Sequence, residues 1–435
     1  MDSAELNALV NLYHTGQMAE VEQACKELLL IHPQSSIIMN VLGAALHRQG
    51  KLKESIQVFD TSIQLKPDYA DVYSNRGVAL KEFGQPSEAV KSYDKAIELK
   101  PDYAEAYSNR GIALKDLGRP NEAIKSYDKA IELKPSSAGA YVNRGNALQD
   151  LGQLHEAMKS YNKAIEIKPD YAGAQYNRHA LLLNPDDLMP AIKCMEKAID
   201  IDPLNTRYRF LLGMLWDYSG NSKKAMIHFD VVETGASLYR AQLDAWRYIK
   251  SVNKNVPTII GSNIQAFKLG LDAALIDGLV LEFGVRFGTS IRQICSLVDQ
   301  NVHGFDSFQG LPESWNNQPK GSYSTESIIP IVPQNVFLHD GWFEETLPGF
   351  VKQHPEPVRF MNIDCDIFSS TKTVLDIFSK QIIPGTVIIF DEYIGNENWR
   401  EDEFRAFQDA VIKYEWNYEY LCFSFMTKQV VVRIN

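Results

Sequence analysis

The chain reads as an all-α solenoid of stacked helical hairpins followed by an α/β domain, built on a mostly parallel seven-stranded sheet that ends in an antiparallel hairpin. Three observations predict this. Prolines recur at Pro33, Pro67, Pro101, Pro135, Pro169 and Pro203, each 34 residues after the one before. Beyond residue 257, apolar strand segments alternate with helices or long loops, the pattern of a mostly parallel sheet. The last two strand segments are separated only by Met426-Thr-Lys-Gln, so they pair as a hairpin.

The bulk properties fit that division. A chain of 435 residues with 45% hydrophobic and 23% charged residues is ordinary globular protein, too long for one core. A net charge of -11 disfavours a nucleic-acid surface, which is normally basic. Cys25, Cys194, Cys295, Cys365 and Cys422 are scattered without C-x-x-C spacing, which points to a reduced, cytoplasmic protein. The acidic start Met1-Asp-Ser-Ala-Glu lacks the features of a signal peptide, and no apolar run reaches membrane-spanning length. Neither secretion nor membrane insertion is expected.

The first domain is placed at residues 1–236, a partial cap over 1–32 and six repeats from Pro33 to Ala236. A 34-residue period belongs to tetratricopeptide repeats. The unit from Pro101 through Tyr107, Gly111, Gly118, Ala123 and Tyr127 to Lys134 resembles that consensus at its small-residue positions. Gly77, Ala89 and Ala96 let two antiparallel helices meet closely, while Tyr73 and Tyr93 fill the space between hairpins. The last repeats depart from the pattern, as capping repeats do. Asn75, Asn109, Asn143 and Asn177 recur at one position of the first helix. They are either a ladder of amides for an extended peptide partner or, the favoured reading, bridges between neighbouring helices.

A helical linker over 237–256 leads to the second domain at 257–435. Residues 262–279 read as a helix beside the sheet, and strands are expected at Val280–Phe283, Val302–Phe305, Val336–Leu338, Arg359–Ile363, Val387–Phe390, Tyr418–Phe425 and Val430–Ile434. The first runs into Gly284-Val-Arg-Phe-Gly288-Thr289-Ser290, where the glycines admit a ligand close to the backbone. The new helix then offers unpaired N–H groups to an anionic group. Two later strands end in Asp364-Cys365-Asp366 and Asp391-Glu392. Ligands of open α/β sheets sit outside the carboxyl ends of the strands, so these acids converge there. Like charges that close call for a hard divalent cation or raised pKa values.

Taken with Gly304-Phe-Asp306-Ser307-Phe308-Gln-Gly310-Leu-Pro312-Glu313 and His339-Asp340-Gly341-Trp342-Phe343, these segments resemble S-adenosylmethionine-dependent O-methyltransferases of the macrocin O-methyltransferase type, class I enzymes, over residues 258–435. The resemblance implies that Gly284, Gly288, Thr289 and Ser290 cradle the methionine end of S-adenosylmethionine, with Glu282 steadying its ammonium. Asp306, with Ser307 beside it, would take the ribose hydroxyls, and Asp340, with Gly341, the adenine amino group. Asp364, Asp391 and Glu392 would hold Mg²⁺ against an acceptor hydroxyl. Asp366 would serve as general base or as a fourth ligand, with His339 or His303 as substitute bases. The acceptor implied is a small molecule or glycan, methylated on a hydroxyl of a sugar or glycoconjugate, with the repeats recruiting a protein partner.

The chain departs from that family at Cys365, read as a packed small residue, at Glu392, which keeps the charge, and at Phe368, which loses a hydroxyl. The segment 312–333, carrying Trp315, is either a lid over substrate or a disordered surface loop. Trp399 and Arg400 either border the acceptor pocket or lie on the surface, ahead of a helix that turns Phe404 and Phe407 inward. Competing readings are a peptide methyltransferase fed by the solenoid, and an interaction scaffold with an inactive domain. A nicotinamide dehydrogenase is disfavoured, because Gly284-x-x-x-Gly288 is not G-x-G-x-x-G.

Overall fold

The computed structural model describes residues 3–252, 255–325 and 327–435. Met1 and Asp2 of the acidic start, Asn253 and Lys254 of the expected linker, and Glu326 of the long segment therefore lie outside the described residues. The chain forms two compact units, Met1–Leu148 and Gln149–Asn435.

The first unit is helical: α1 (Ser3–His14), α2 (Met18–Ile31), α3 (Ser36–Arg48), α4 (Leu52–Leu65), α5 (Ala70–Glu82), α6 (Pro86–Leu99), α7 (Ala104–Asp116), α8 (Pro120–Leu133) and most of α9 (Ala138–Asp150). Proline opens α6 and α8, where no N–H is needed. Between α7 and α8, Gly118 adopts φ +65°, a left-handed turn that a glycine takes without strain. Three hairpins close around a glycine facing a ring: a Cβ on Gly43 would lie 2.5 Å from the Phe59 ring, one on Gly77 2.6 Å from that of Tyr93, and one on Gly111 2.4 Å from that of Tyr127. Both tyrosines are fully buried. The small-residue positions read from the sequence therefore set the interhelical distance. Asn75 donates to Asn40 of the preceding repeat at 2.9 Å, so it bridges helices. Asn109 and Asn143 are half-buried at the equivalent positions.

The second unit opens with α10 (Leu154–Ile167), α11 (Ala172–Leu181), α12 (Met189–Ile201), α13 (Thr206–Tyr218), α14 (Ser222–Glu233) and α15 (Ser237–Val252). Asn177 lies on α11, half-buried. The sheet follows: β1 (Thr258–Ile259), β2 (Leu279–Phe283), β3 (Val302–Asp306), β4 (Val336–Asp340), β5 (Val358–Ile363), β6 (Val387–Phe390), β7 (Tyr418–Phe423) and β8 (Val430–Ile434). Between the strands run α16 (Asn263–Ala273), α17 (Thr289–Cys295), α18 (Phe343–Gln353), α19 (Phe368–Phe378) and α20 (Glu403–Tyr414). The strand order is β1-β7-β8-β6-β5-β2-β3-β4. All pairs are parallel except β6 with β8 and β7 with β8, so the final hairpin stands as expected.

Two expectations need correction. The sheet has eight strands rather than seven, because Thr258–Ile259 adds a short parallel edge to β7. The late repeats, read as caps, do not end the packing: Phe210 meets Phe425 at 4.9 Å and Trp246 meets Phe423 at 5.5 Å, in one hydrophobic core with the sheet. Their irregular sequence supplies apolar faces to the β7–β8 hairpin, which overrides the repeat pattern. Within the same core, α15 buries Leu243, Trp246 and Ile249, and α16 is shorter than the segment read from the sequence. No helix of the described residues is long and apolar enough to cross a membrane.

Candidate functional site

The carboxyl ends of β2, β3, β5 and β6 surround a cavity of about 440 Å³, within the range of small-ligand sites. Gly284, Asp306, Ser307, Gly341, Asp364, Asp366, Asp391 and Glu392 all line it. Gly284 is required by the packing: its φ is +93°, and a Cβ there would lie 1.8 Å from the Asp364 carbonyl oxygen. Only glycine lets the β2 turn and the end of β5 come that close.

Asp306 ends β3 and organises the loops beside it. Its Oδ1 accepts from Phe308 N at 2.6 Å and its Oδ2 from Arg286 N at 2.7 Å. Burial raises its pKa against the stabilising backbone bonds from Arg286, Phe308 and Val285. Ser307 Oγ accepts from Gln309 N, shaping the same turn.

Glu282 lies behind the cavity wall, fully buried. Its Oε1 accepts from Ser290 Oγ and from Asn362 Nδ2, the latter at 3.2 Å, while Oε2 has no partner. Burial pushes its pKa up to about 8. Gly288, at φ +74°, precedes Thr289 and Ser290 at the start of α17, none of them in the cavity wall. Asp340 is exposed at the end of β4 and also outside the wall, while Gly341 N donates to the Asp306 carbonyl.

The remaining acids form the floor. Asp364, Asp366 and Asp391 all have raised pKa values, burial being the largest cause and neighbouring carboxylates the next. Asp366 sits at φ +64°, strained backbone of the kind that clusters at functional sites. Cys365 is buried in the core, its thiol pushed well up by burial, and it packs as a small residue. Asp391 Oδ1 accepts from Gln429 Nε2 at 2.6 Å. Glu392 receives Lys428 Nζ on both oxygens, at 2.7 and 3.0 Å. Beneath them Glu403, the first residue of α20, accepts the Glu392 N–H at 3.0 Å on Oε2 and leaves Oε1 unpartnered.

This arrangement does not fit the expected Mg²⁺ set of Asp364, Asp391 and Glu392. A hard divalent ion needs converging oxygens, and the Lys428 ammonium and the Gln429 amide already occupy oxygens of two of the three. Among the described residues no three His, Cys, Asp or Glu side chains converge closely enough to hold a metal ion.

His303 and His339 are 3.1 Å apart, stacked among Phe305, Phe337 and Phe350, and neither lines the cavity. Trp399 is buried against Tyr248 and Phe404 while Arg400 pairs with Asp244, so neither borders the cavity. The long segment supplies Glu313 and Tyr323 to the wall and is fastened by Trp315 Nε1 to Asp402, Ser369 Oγ to Glu313 and Asn398 Nδ2 to Asn316.

Arg286, Lys428, Gln429 and Glu403 are the site residues that sequence reasoning missed. A signal for two of them existed. Antiparallel register pairs Phe390 with Val430, which brings Gln429 beside Asp391 and Lys428 beside Glu392.

Comparison with known proteins agrees with both halves. Tetratricopeptide repeat families match residues 43–84, 82–118, 104–137, 126–159 and 145–184, and a family described as "Methyltransferase domain" matches residues 281–393. The chain therefore carries tetratricopeptide repeats and a methyltransferase-like domain. No curated protein matches it. Among solved structures it is similar to MamA from Desulfovibrio magneticus, at 28% identity over 38% of this chain and 93% of that one, TM-score 0.34. It is also similar to YrrB, "a TPR protein with an unusual peptide-binding site", at 22% identity over 43% and 96%, TM-score 0.36. A tetratricopeptide repeat protein from Parabacteroides merdae gives 19% identity over 53% and 91%, TM-score 0.43.

Proposed function

We propose that the chain is an S-adenosylmethionine-dependent O-methyltransferase acting on a hydroxyl of a sugar or glycoconjugate, with the repeats engaging a protein partner. The observation that carries this is one cavity walled by the glycine turn, by Asp306 at the end of β3 and by the acids at the ends of β5 and β6. It lies within the region matched as a methyltransferase domain.

The residues suit the cofactor. Gly284 leaves room where a Cβ would collide, and Glu282 keeps an unpartnered oxygen behind the Ser290 hydroxyl. S-adenosylmethionine, when bound, supplies an electrophilic methyl group on a sulfonium. Asp306 retains lone-pair capacity for the ribose hydroxyls beyond its bonds to backbone N–H groups. Gly288, Thr289 and Ser290 are assigned to the methionine end, and Asp340 with Gly341 to the adenine.

Asp366 is assigned as general base: its carboxylate takes the acceptor O–H proton as the oxygen attacks the methyl carbon and the C–S bond electrons return to sulfur. Its raised pKa brings it close to neutrality, where a general base is most effective. Asp364 and Asp391 keep the pocket polar around the reacting hydroxyl. The step needs no Mg²⁺: Lys428 engages both oxygens of Glu392 and Gln429 engages one oxygen of Asp391.

The test is transfer of an isotopically labelled methyl group to a panel of sugars and glycoconjugates, with Asp366→Asn as control. Labelled product that vanishes in the variant supports the reading. Label appearing only on peptides would replace the acceptor with a protein one.

A further inference from the structure

Glu392 is held by Lys428, and the surrounding chain is built to bring that lysine there. Lys428 sits in the turn between β7 and β8 at φ +61°, a left-handed conformation seldom taken outside glycine and asparagine. Its stem runs across Gly395, where a Cβ would lie 2.0 Å from Lys428 Cγ and 2.3 Å from its Cβ and Cδ. Any side chain at that position would displace the lysine. Gly395 is fixed in turn by its carbonyl, which accepts Gln242 Nε2 from α15 at 3.1 Å. From below, Glu403 accepts the Glu392 N–H, so the backbone and both carboxylate oxygens of Glu392 are restrained.

We propose that the Lys428 ammonium is the fixed counter-charge of this carboxylate cluster, standing where a divalent cation would need Glu392, and that it is a positioning residue orienting Glu392 in the acceptor end of the cavity. Both oxygens of Glu392 are engaged by one tethered cation, which also faces Asp366 and Asp391. The consequence for methyl transfer rests on the function proposed above. The cation assignment rests on this geometry alone.

The test is titration of the full chain with Mn²⁺, read by electron paramagnetic resonance without cofactor or acceptor. Wild type is expected to bind no stoichiometric Mn²⁺ at the cluster. Lys428→Met is expected to gain one Mn²⁺ equivalent with affinity at least about tenfold above wild type, as freed carboxylate oxygens become ligands. Adding Asp391→Asn should abolish the gain, and Lys428→Arg, which keeps the charge, should show none. The inference is overturned if wild type binds one Mn²⁺ that Asp391→Asn removes, a measurement that needs no lysine variant to fold. It is equally overturned if Lys428→Met, or Lys428→Gln where methionine is not tolerated, melts like wild type and gains nothing. Because no S-adenosylmethionine enters the assay, the outcome does not depend on the methyl-transfer reading.

Discussion

Replacing Glu282 with glutamine should invert an ordinary expectation by stabilising the protein at high pH and not at low pH. The side chain is fully buried, and its carboxyl titrates at about 8 against an ordinary 4.5. In the unfolded chain the group has lost its proton above 4.5, whereas the fold retains it until about 8. The folded state thus binds the extra proton across that window, so stability falls as pH rises through it and levels off above. At ~1.4 kcal/mol per pH unit the gap sets a ceiling of about 5 kcal/mol. Half of that would lower the melting temperature by about 4 °C in a unit of this size. Glutamine keeps an oxygen for Ser290 and Asn362 and carries no charge to bury. All six tryptophans lie between Trp216 and Trp416, so their fluorescence reports the second unit alone. Melting curves followed this way from pH 5 to 9 should fall with pH in wild type and less steeply in Glu282→Gln, the two crossing. Asp364, whose raised pKa owes part to the Glu282 charge, is relieved in the variant too, which widens the same difference in slope. Parallel curves would refute the reasoning, because they would mean that Glu282 ionises freely in the fold.

Asp366→Asn should lower turnover about 10² to 10⁴-fold while leaving cofactor affinity within error, measured by kinetics and calorimetry together. In wild type the rate should rise with pH through about 7, because the base acts only once deprotonated. Gly284→Ala should abolish cofactor binding, since its Cβ meets the Asp364 carbonyl at 1.8 Å in a backbone of positive φ; retained affinity in a titration would contradict this. Gly111→Ala should destabilise the first unit by about 1–3 kcal/mol through overlap with the buried Tyr127 ring. Far-UV circular dichroism should show an earlier helical transition while the tryptophan transition stays in place.

What the sequence revealed follows from how local each signal is. The repeat unit was legible because glycine and tyrosine recur at a fixed spacing, and Gly111 and Tyr127 meet as that spacing requires. The acids were legible because each ends an apolar run, and chain direction alone carries strand ends to one edge of a parallel sheet. Lys428 and Glu403 were not legible this way. One reaches the site through antiparallel register and the other from the first residue of a helix. The metal expectation went astray for the same reason: counting carboxylates along the chain leaves out a cation supplied from a distant turn. Similarly, Trp399 and Arg400 follow the acidic strand end closely, yet the first is buried against Tyr248 and the second is drawn to Asp244, both on α15.

The methyl-transfer roles proposed for the second unit depend on S-adenosylmethionine binding in the cavity at the ends of β2, β3, β5 and β6. Calorimetric titration of the full chain in chelator-containing buffer, beside Asp306→Ala, addresses this without an acceptor. One equivalent should bind to wild type without added metal, and that binding should be lost in the variant. No heat of binding in wild type, or undiminished affinity in Asp306→Ala, would contradict the assignment.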